Sequence, residues 1–411
     1  MGWEDLVVTT GHPELIAVIS SEIAKNGPIP FVRFMEVALY HPQFGYYMRQ
    51  PDSADHERIG WSGDFYTSSD VHPILGRAIA EQASQMDELM DCPTPFTIVE
   101  SGAGKGLLAR DCLAAIHDQK ENFASRVRYV LIERSPAMRA LQRRNLAPWL
   151  SKPGLVTWAE GLDALAPLSV TGLFFSNELI DAFPVHRVQV VNGRTEELCV
   201  DDRDGRFVEC FKPLSTAALD QFLQHLNGTW PEGYRTEVNL LARDWMEQVA
   251  RRLDRGFVMT IDYGHTAQDL YGPEKKNGTF LCYFQQRAND DPFMRVGEQD
   301  MTAHVDFSSL AAAGETQGLH VTGFTNQMSF LMGLGVEEMV GKLEPESPAF
   351  RASIHLLKPN GMGSTFKVLV QHKGISRPEL HGLKFKPFFG SALKQSESHV
   401  LTSYKSACLS T

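Results

Sequence analysis

The stretch Phe96-Thr97-Ile98-Val99-Glu100-Ser101-Gly102-Ala103-Gly104-Lys105-Gly106 carries the densest chemical signal in the chain. A short apolar run ends in an acid, and three glycines follow at alternate positions. A helical pattern then begins at Leu107. The order reads as a buried strand, a tight turn and a helix start. Glycines lack a Cβ and let the backbone approach a ligand closely. The helix N-terminus offers that ligand its free N–H groups. Dinucleotide sites use G-x-G-x-x-G, with an acid about 20 residues further on. Here the spacing is G-x-G-x-G and the acid, Glu100, stands ahead of the first glycine. A carboxylate there repels a pyrophosphate and suits a cationic sulfonium amino acid. The pattern favours S-adenosylmethionine (SAM) over NAD, with an ordinary strand-to-helix turn as the plain alternative.

Further polar groups fall at the ends of other apolar runs. Arg128 to Glu133 is a second strand, and a carboxylate at its tip, Glu133, can accept from both hydroxyls of a ribose. The acid also stands at a helix start marked by Ser135-Pro136. After a third strand, Gly154 to Trp158, the loop carries Asp163, placed to accept from an adenine amino group or simply to face water. The fourth strand, Thr171 onward, ends in Asn177-Glu178, with Asp181 and His186 close behind. The fifth, Gly256 to Asp262, ends in Asp262-Tyr263-Gly264-His265. Open α/β sheets bind ligands at the carboxyl ends of their strands. The loop from Gly60 to Ser69, with Asp64, Tyr66 and Thr67, precedes a helix at about 71–90 and is either a lid or a solvated cap.

The elements that must position these groups follow from pattern. Residues 12 to 26 form an amphipathic helix, with Leu15, Ile16, Val18, Ile19 and Ile23 on one side. His41 to Tyr47 is an aromatic turn, read as a packed corner. Residues 185 to 211 alternate between Asn192-Gly193 and Asp201-Asp202-Arg203-Asp204-Gly205, both hairpin signals, so a small antiparallel sheet is expected there. Helices follow at about 215–227 and 236–254. Residues 266 to 304 read as a long irregular connection, usually functional or mobile. His304 and Asp306 precede a helix, as a cap or as site groups. Gly318–Phe324 and Thr365–Gln371 complete seven strands, separated by one helical stretch at 326–357. The expected domains are an N-terminal helical lid segment at 1–90, a cofactor core beginning at 91–184, an inserted cap at 185–254, core completion at 255–372 and a tail at 373–411.

The 411 residues carry a formal net charge of −11, which argues against nucleic acid as an obligate partner. Six scattered cysteines show no C-x-x-C pair, so neither structural zinc nor a disulfide framework is expected, and no metal site. No run reaches the length of a membrane span. The acidic start, Met1-Gly2-Trp3-Glu4-Asp5, resembles neither a signal peptide nor a mitochondrial presequence, and a bacterial cytoplasmic location is expected.

The motifs also resemble a specific family. Phe44-Gly45-Tyr46-Tyr47, Gly63-Asp64-Phe65-Tyr66-Thr67-Ser68, Glu100 to Gly106, Ser176-Asn177-Glu178 through Val185-His186, Ile261-Asp262-Tyr263-Gly264, Thr302 to Phe307 and Gly361-Met362-Gly363 are similar to those of the MidA-like SAM-dependent methyltransferases. That family includes the mitochondrial complex I assembly protein arginine methyltransferase. The resemblance implies a seven-stranded Rossmann-like class I methyltransferase sheet with an inserted antiparallel β/helical cap and an N-terminal helical lid. It implies SAM held by Gly63, Asp64, Thr67, Glu100, Gly102, Gly104, Gly106, Glu133, Asp163 and Asn177. It further implies a protein substrate with a target arginine. A small-molecule acceptor, or a SAM-binding assembly factor without catalysis, stays open, as does a homodimer. Glu178 is the expected acid for orienting the acceptor, helped by Asp181 or Asp262. His265 or His304 would be the base for a small acceptor. Two positions depart from the family: Ser69 stands for a proline, and Gln285-Gln286-Arg287 lacks a histidine before its arginine.

Overall fold

The computed structural model describes residues 9–49, 60, 63–64, 72–226, 228, 230–358 and 361–385. The chain divides into two compact units, each built from separate segments: 1–66, 181–242 and 267–304 in the first, 67–180, 243–266 and 305–411 in the second. This division cuts across the linear boundaries expected at 90, 184, 254 and 372.

The second unit holds the cofactor-type sheet. Its strands are β1 (Phe96–Ser101), β2 (Val127–Ile132), β3 (Val156–Ala159), β4 (Val170–Asn177), β5 (Leu253–His265), β6 (His320–Asn326) and β7 (Phe366–Lys373). They lie in the order β6-β7-β5-β4-β1-β2-β3, with the two-residue strand Val305–Asp306 added on β5. Pairings among β1 to β5 are parallel, and β7 runs antiparallel to both β5 and β6. The seven-stranded sheet expected from sequence is therefore present. The inner strands β1, β4 and β5 read as nearly continuous apolar runs because both faces are covered; Ile98, Val99, Leu173, Phe174, Phe175, Val258 and Met259 are all buried. Chain order reverses at the neighbours β1 and β4, and such a reversal opens a crevice at the strand ends.

The first unit is mostly antiparallel. Ile29–Pro30, Arg194–Arg203, His186–Val191 and Arg235–Val238 pair in that order, with Arg206–Lys212 hydrogen-bonded to Arg194–Arg203. Both hairpin signals hold: Asn192-Gly193 and Asp204-Gly205 have positive φ at both positions, the backbone that two-residue hairpin turns require. Helix Pro13–Asn26 buries Leu15, Ile19 and Ile23 in a core shared with Phe31, Phe34, Val200 and Phe207. A second cluster joins Val188, Leu219, Phe222, Val238 and Tyr271.

Two expectations fail locally. Residues 266 to 304 are not structureless: Leu281–Phe284, Arg287–Asn289 and Asp300–Thr302 form a three-stranded antiparallel sheet. Strands of three or four residues are too short to show a period. The helical stretch at 326–357 is three helices, Gln327–Gly333, Val336–Gly341 and Pro348–Leu357. The left-handed Gly335 (φ 73) breaks the first junction, and the Ser347 cap with Pro348 restarts the chain after the second.

Candidate functional site

In the second unit, β1 ends in Glu100-Ser101 and runs into three left-handed glycines, Gly102 (φ 73), Gly104 (φ 50) and Gly106 (φ 75). Glycine takes such a turn without strain. Their surroundings differ. A Cβ at Gly102 would lie 2.7 Å from Leu179 Cδ1, and one at Gly106 would lie 3.0 Å from Gln142 Cγ. A Cβ at Gly104 would meet nothing within 4 Å. Gly104 therefore borders open space, whereas protein packs on the other two.

Glu100 is buried and accepts a hydrogen bond from Tyr129 Oη at 2.7 Å. Burial pushes its carboxyl up to about 8; the Tyr129 hydroxyl pulls the other way, and Glu133 adds a smaller push. The Glu100 carboxyl thus holds its proton to higher pH than an exposed carboxyl does, which modifies the expected standing carboxylate. Glu133 follows β2, and its Oε1 accepts from the Ser135 amide at 2.8 Å. Its Oε2 accepts from Gln142 Nε2 at 3.2 Å. Burial raises the Glu133 carboxyl and these bonds oppose the rise. Gln142 is completely buried, donates to the Gly104 carbonyl (2.8 Å) and accepts from Trp158 Nε1 (2.9 Å). One amide thus ties the glycine turn to Glu133 and β3. Asp163 stands exposed in the turn Leu162–Ala164 after β3.

At the end of β4, Asn177 Nδ2 donates to Glu178 Oε1 at 3.1 Å. Glu178 has φ 52, a left-handed backbone that L residues avoid, and its amide donates to the Ile261 carbonyl at 3.0 Å. Non-glycine residues in that region persist only where the surroundings enforce them, and they cluster at functional sites. Asp262, fully buried, accepts from the Leu179 and Ile180 amides on Oδ2 (3.3 and 3.0 Å) and from the Tyr263 amide on Oδ1 (2.9 Å). Its carboxyl group therefore braces the turn behind Glu178. His265, half-buried at the last residue of β5, pairs in register with Asp306. Asp306 caps the helix Phe307–Thr316 by accepting from the Ser309 amide at 3.0 Å.

A cofactor can be tested against unsatisfied atoms. Asn177 Oδ1 and Ser101 Oγ are among several buried side-chain atoms of the described residues without a hydrogen-bond partner. Buried polar atoms are normally satisfied. Two orphaned groups at the adjacent ends of β1 and β4, beside the open Gly104, suit the polar amino-acid end of SAM.

The first unit holds Gly63, Asp64 and Asp181. Asp64 is buried; its carboxylate accepts from Tyr46 Oη (2.9 Å) and from the Gln285 amide (2.9 Å), and Gly63 donates its amide to Gly60. Asp181 is buried and its carbonyl accepts from the Ala303 amide. Asp300 accepts from Tyr47 Oη at 2.6 Å. Burial pushes the Asp300 carboxyl up to about 7 against the Tyr47 hydrogen bond, with the charges of Asp181 and Asp64 adding to the rise. The aromatic turn is thus a packed corner, with Tyr40 stacked on Tyr47; the Tyr46 and Tyr47 hydroxyls also reach buried acids, while that of Tyr40 donates to the Ala182 carbonyl. His186 begins the strand His186–Val191, and its Nδ1 lies 2.7 Å from Oε1 of the buried Glu197. The His304 amide donates to Thr279 Oγ1 at 3.1 Å. Thr67 lies outside the described residues, as do Tyr66, Ser69 and Asp70. No group of three or more His, Cys, Asp or Glu able to hold a metal, and no helix long and apolar enough to cross a membrane, occurs among the described residues.

Sequence reasoning passed over Gln142, Tyr47 and Asp300. Gln142 carried no signal beyond being polar in an amphipathic helix. Asp300 sits in a short polar string, and Tyr47 was absorbed into the aromatic corner.

Known proteins point the same way. A family model described as "Putative S-adenosyl-L-methionine-dependent methyltransferase" matches residues 78–325. The chain is 27% identical over 394 residues to the protein arginine methyltransferase NDUFAF7 homolog, mitochondrial, of Drosophila melanogaster, covering 89% of this chain and 86% of that protein. Against the mitochondrial protein arginine methyltransferase NDUFAF7 of Homo sapiens it is 25% identical over 403 residues, again covering 89% and 86%. A Burkholderia thailandensis crystal structure bound to S-adenosyl-homocysteine superposes with a TM-score of 0.79 at 30% identity, covering 91% of this chain and 97% of that one.

Proposed function

This chain belongs to the MidA-like family of SAM-dependent methyltransferases, and on that premise we propose that its acceptor is an arginine of a protein partner. SAM supplies a sulfonium-bound methyl group for in-line displacement by the acceptor nitrogen, leaving neutral S-adenosyl-homocysteine, while one guanidinium proton passes to water. Such a transfer depends mostly on holding the reactants about 3 Å apart and aligned. Guanidinium stays protonated in water. The protein must therefore orient its fork and localise its charge away from the attacking nitrogen, which a carboxylate does through paired hydrogen bonds.

The observation that carries this reading is Glu178, a half-buried acid held in a left-handed backbone at the tip of β4 beside Asn177. Likeness to proteins named protein arginine methyltransferases, over 89% of the chain, supports the same acceptor class. Glu178 orients the acceptor. Asn177 and Glu100 take the amino-acid end of the cofactor, Glu133 the ribose, Asp163 the adenine edge, and Gly102, Gly104 and Gly106 the backbone approach. The test is Glu178→Gln: SAM binding by calorimetry should persist while methylarginine, read by mass spectrometry of host proteins, disappears. Unchanged methylarginine removes Glu178 from the reaction.

A second reading, a small-molecule O- or N-methyltransferase with His265 or His304 as base, draws on one observation. The turn Gln285-Gln286 has φ 48 and 60 and carries glutamines where the family resemblance leads to a histidine. Methyl transfer into a basic-peptide pool against a metabolite pool separates the two.

A further inference from the structure

Asp262 is fully buried, and its carboxyl oxygens accept from three backbone amides. Two of those amides, Leu179 and Ile180, directly follow Glu178. The Glu178 amide itself donates to Ile261, the residue before Asp262. The turn is therefore pinned to β5 at three successive positions. On its other side, Leu179 packs on the first cofactor-loop glycine, where a Cβ at Gly102 would sit 2.7 Å from Leu179 Cδ1. A left-handed glutamate is strained and relaxes unless its neighbours hold it. A charged acceptor bonded to amides is among the stronger restraints a side chain supplies.

We propose that Asp262 is a positioning residue: its buried carboxylate clamps the Leu179 and Ile180 amides and thereby fixes the backbone that presents Glu178 to the acceptor. The proposal rests on the reading of Glu178 as the acceptor-orienting acid. Asp262 then needs no contact with substrate or cofactor; it acts by refusing Glu178 any other conformation, while Leu179 keeps the same turn in register with the glycine loop.

The test is a cycle of Asp262→Asn, Glu178→Gln and the double variant in the full chain. Turnover is read as S-adenosyl-homocysteine release with a synthetic library of arginine-containing peptides as acceptor, and cofactor binding by calorimetry. Asp262→Asn keeps the volume but turns an N–H₂ or a weaker acceptor toward the amides. Expected is a turnover loss of tenfold or more, SAM affinity within threefold of the parent, and less than threefold further loss when the change is added to Glu178→Gln. Residues that act as a unit give such non-additive losses. Full turnover in Asp262→Asn overturns the proposal, as does a loss that survives undiminished in the Glu178→Gln background. Loss of turnover in Glu178→Gln with none in Asp262→Asn sinks this proposal alone. An active Glu178→Gln sinks the catalytic reading itself, and the proposal with it. Hydrogen exchange decides independently of any acceptor. The Leu179 and Ile180 amides should exchange at least tenfold faster in Asp262→Asn, with β1 and β2 unchanged; equal exchange at those two amides refutes the clamp. Asp262→Ser, smaller and less demanding to pack, takes the same measurements if the Asn variant does not fold.

Discussion

Glu100→Gln should stabilise the protein, and by an amount that grows with pH. The Glu100 carboxyl is 3% exposed, and burial pushes it from 4.5 up to about 8. In the unfolded chain the group loses its proton above about 4.5, while the folded protein keeps it to about 8. Between those values the native state binds more protons than the unfolded state, so stability falls as pH rises. Its contribution is intact below the lower value and fully lost above the higher. The slope is about 1.4 kcal/mol per pH unit, and the whole effect is of order 5 kcal/mol as an upper figure. Glutamine has the same shape, can accept from Tyr129 and carries no such term. Urea unfolding of both proteins from pH 5 to pH 9 should show the variant's advantage widening up to about pH 8 and then levelling. A gap as large at pH 5 as at pH 9 would refute burial as the cause. The same reasoning reaches the cofactor: at pH 7 cationic SAM should displace nearly one proton from the wild type on binding, S-adenosyl-homocysteine fewer, and neither any from this site in the variant. Calorimetry in buffers of different ionisation enthalpy counts them.

Three other changes follow from the same geometry. Gln142→Ala removes one donor shared by Gly104 and Glu133 and the acceptor of Trp158; it should cost about 1–3 kcal/mol in urea unfolding and weaken S-adenosyl-homocysteine binding in calorimetry. Gly106→Ala places a methyl on a left-handed residue 3.0 Å from Gln142 Cγ, and should cost about 1–2 kcal/mol by the same unfolding measurement. Tyr47→Phe deletes the hydrogen bond that holds the Asp300 carboxyl down. The Asp300 titration, followed by carbon NMR, should move above its present value of about 7, so the pH range over which this group costs stability extends upward.

The seven-stranded sheet was legible because its inner strands, such as Phe96–Ser101 and Val170–Asn177, are rich in apolar residues, and the two hairpins because Asn-Gly and Asp-Gly match a backbone few other pairs adopt. The acids at the strand tips were legible for the same reason: a charge ending a run of Ile, Val and Phe has to lie at the rim. Their division of labour was not. Asp262 and Glu178 look alike as letters, and only folding reveals that one meets backbone amides while the other stands in a strained turn. Gln142 was hidden because a helix tolerates glutamine anywhere on its surface, and its burial depends on β3 arriving beside it. The small sheet at 281–302 was hidden because its strands draw their stability from pairing with one another instead of from any pattern of their own.

The threading of the chain bears on how the protein is made. Thr10 meets Phe293 and Arg295, a separation of 285 residues for the latter pair, and Ile29–Pro30 pairs with Cys199 and Val200. The companion sheet is closed by β7, which ends at Lys373 and lies between β5 and β6. A ribosome adding about 5–20 residues per second therefore holds both halves unfinished until most of the message has been read. Emerging β1 and β2, rich in exposed apolar edge, must wait for partners, and chaperone occupancy during synthesis should persist until those late segments emerge.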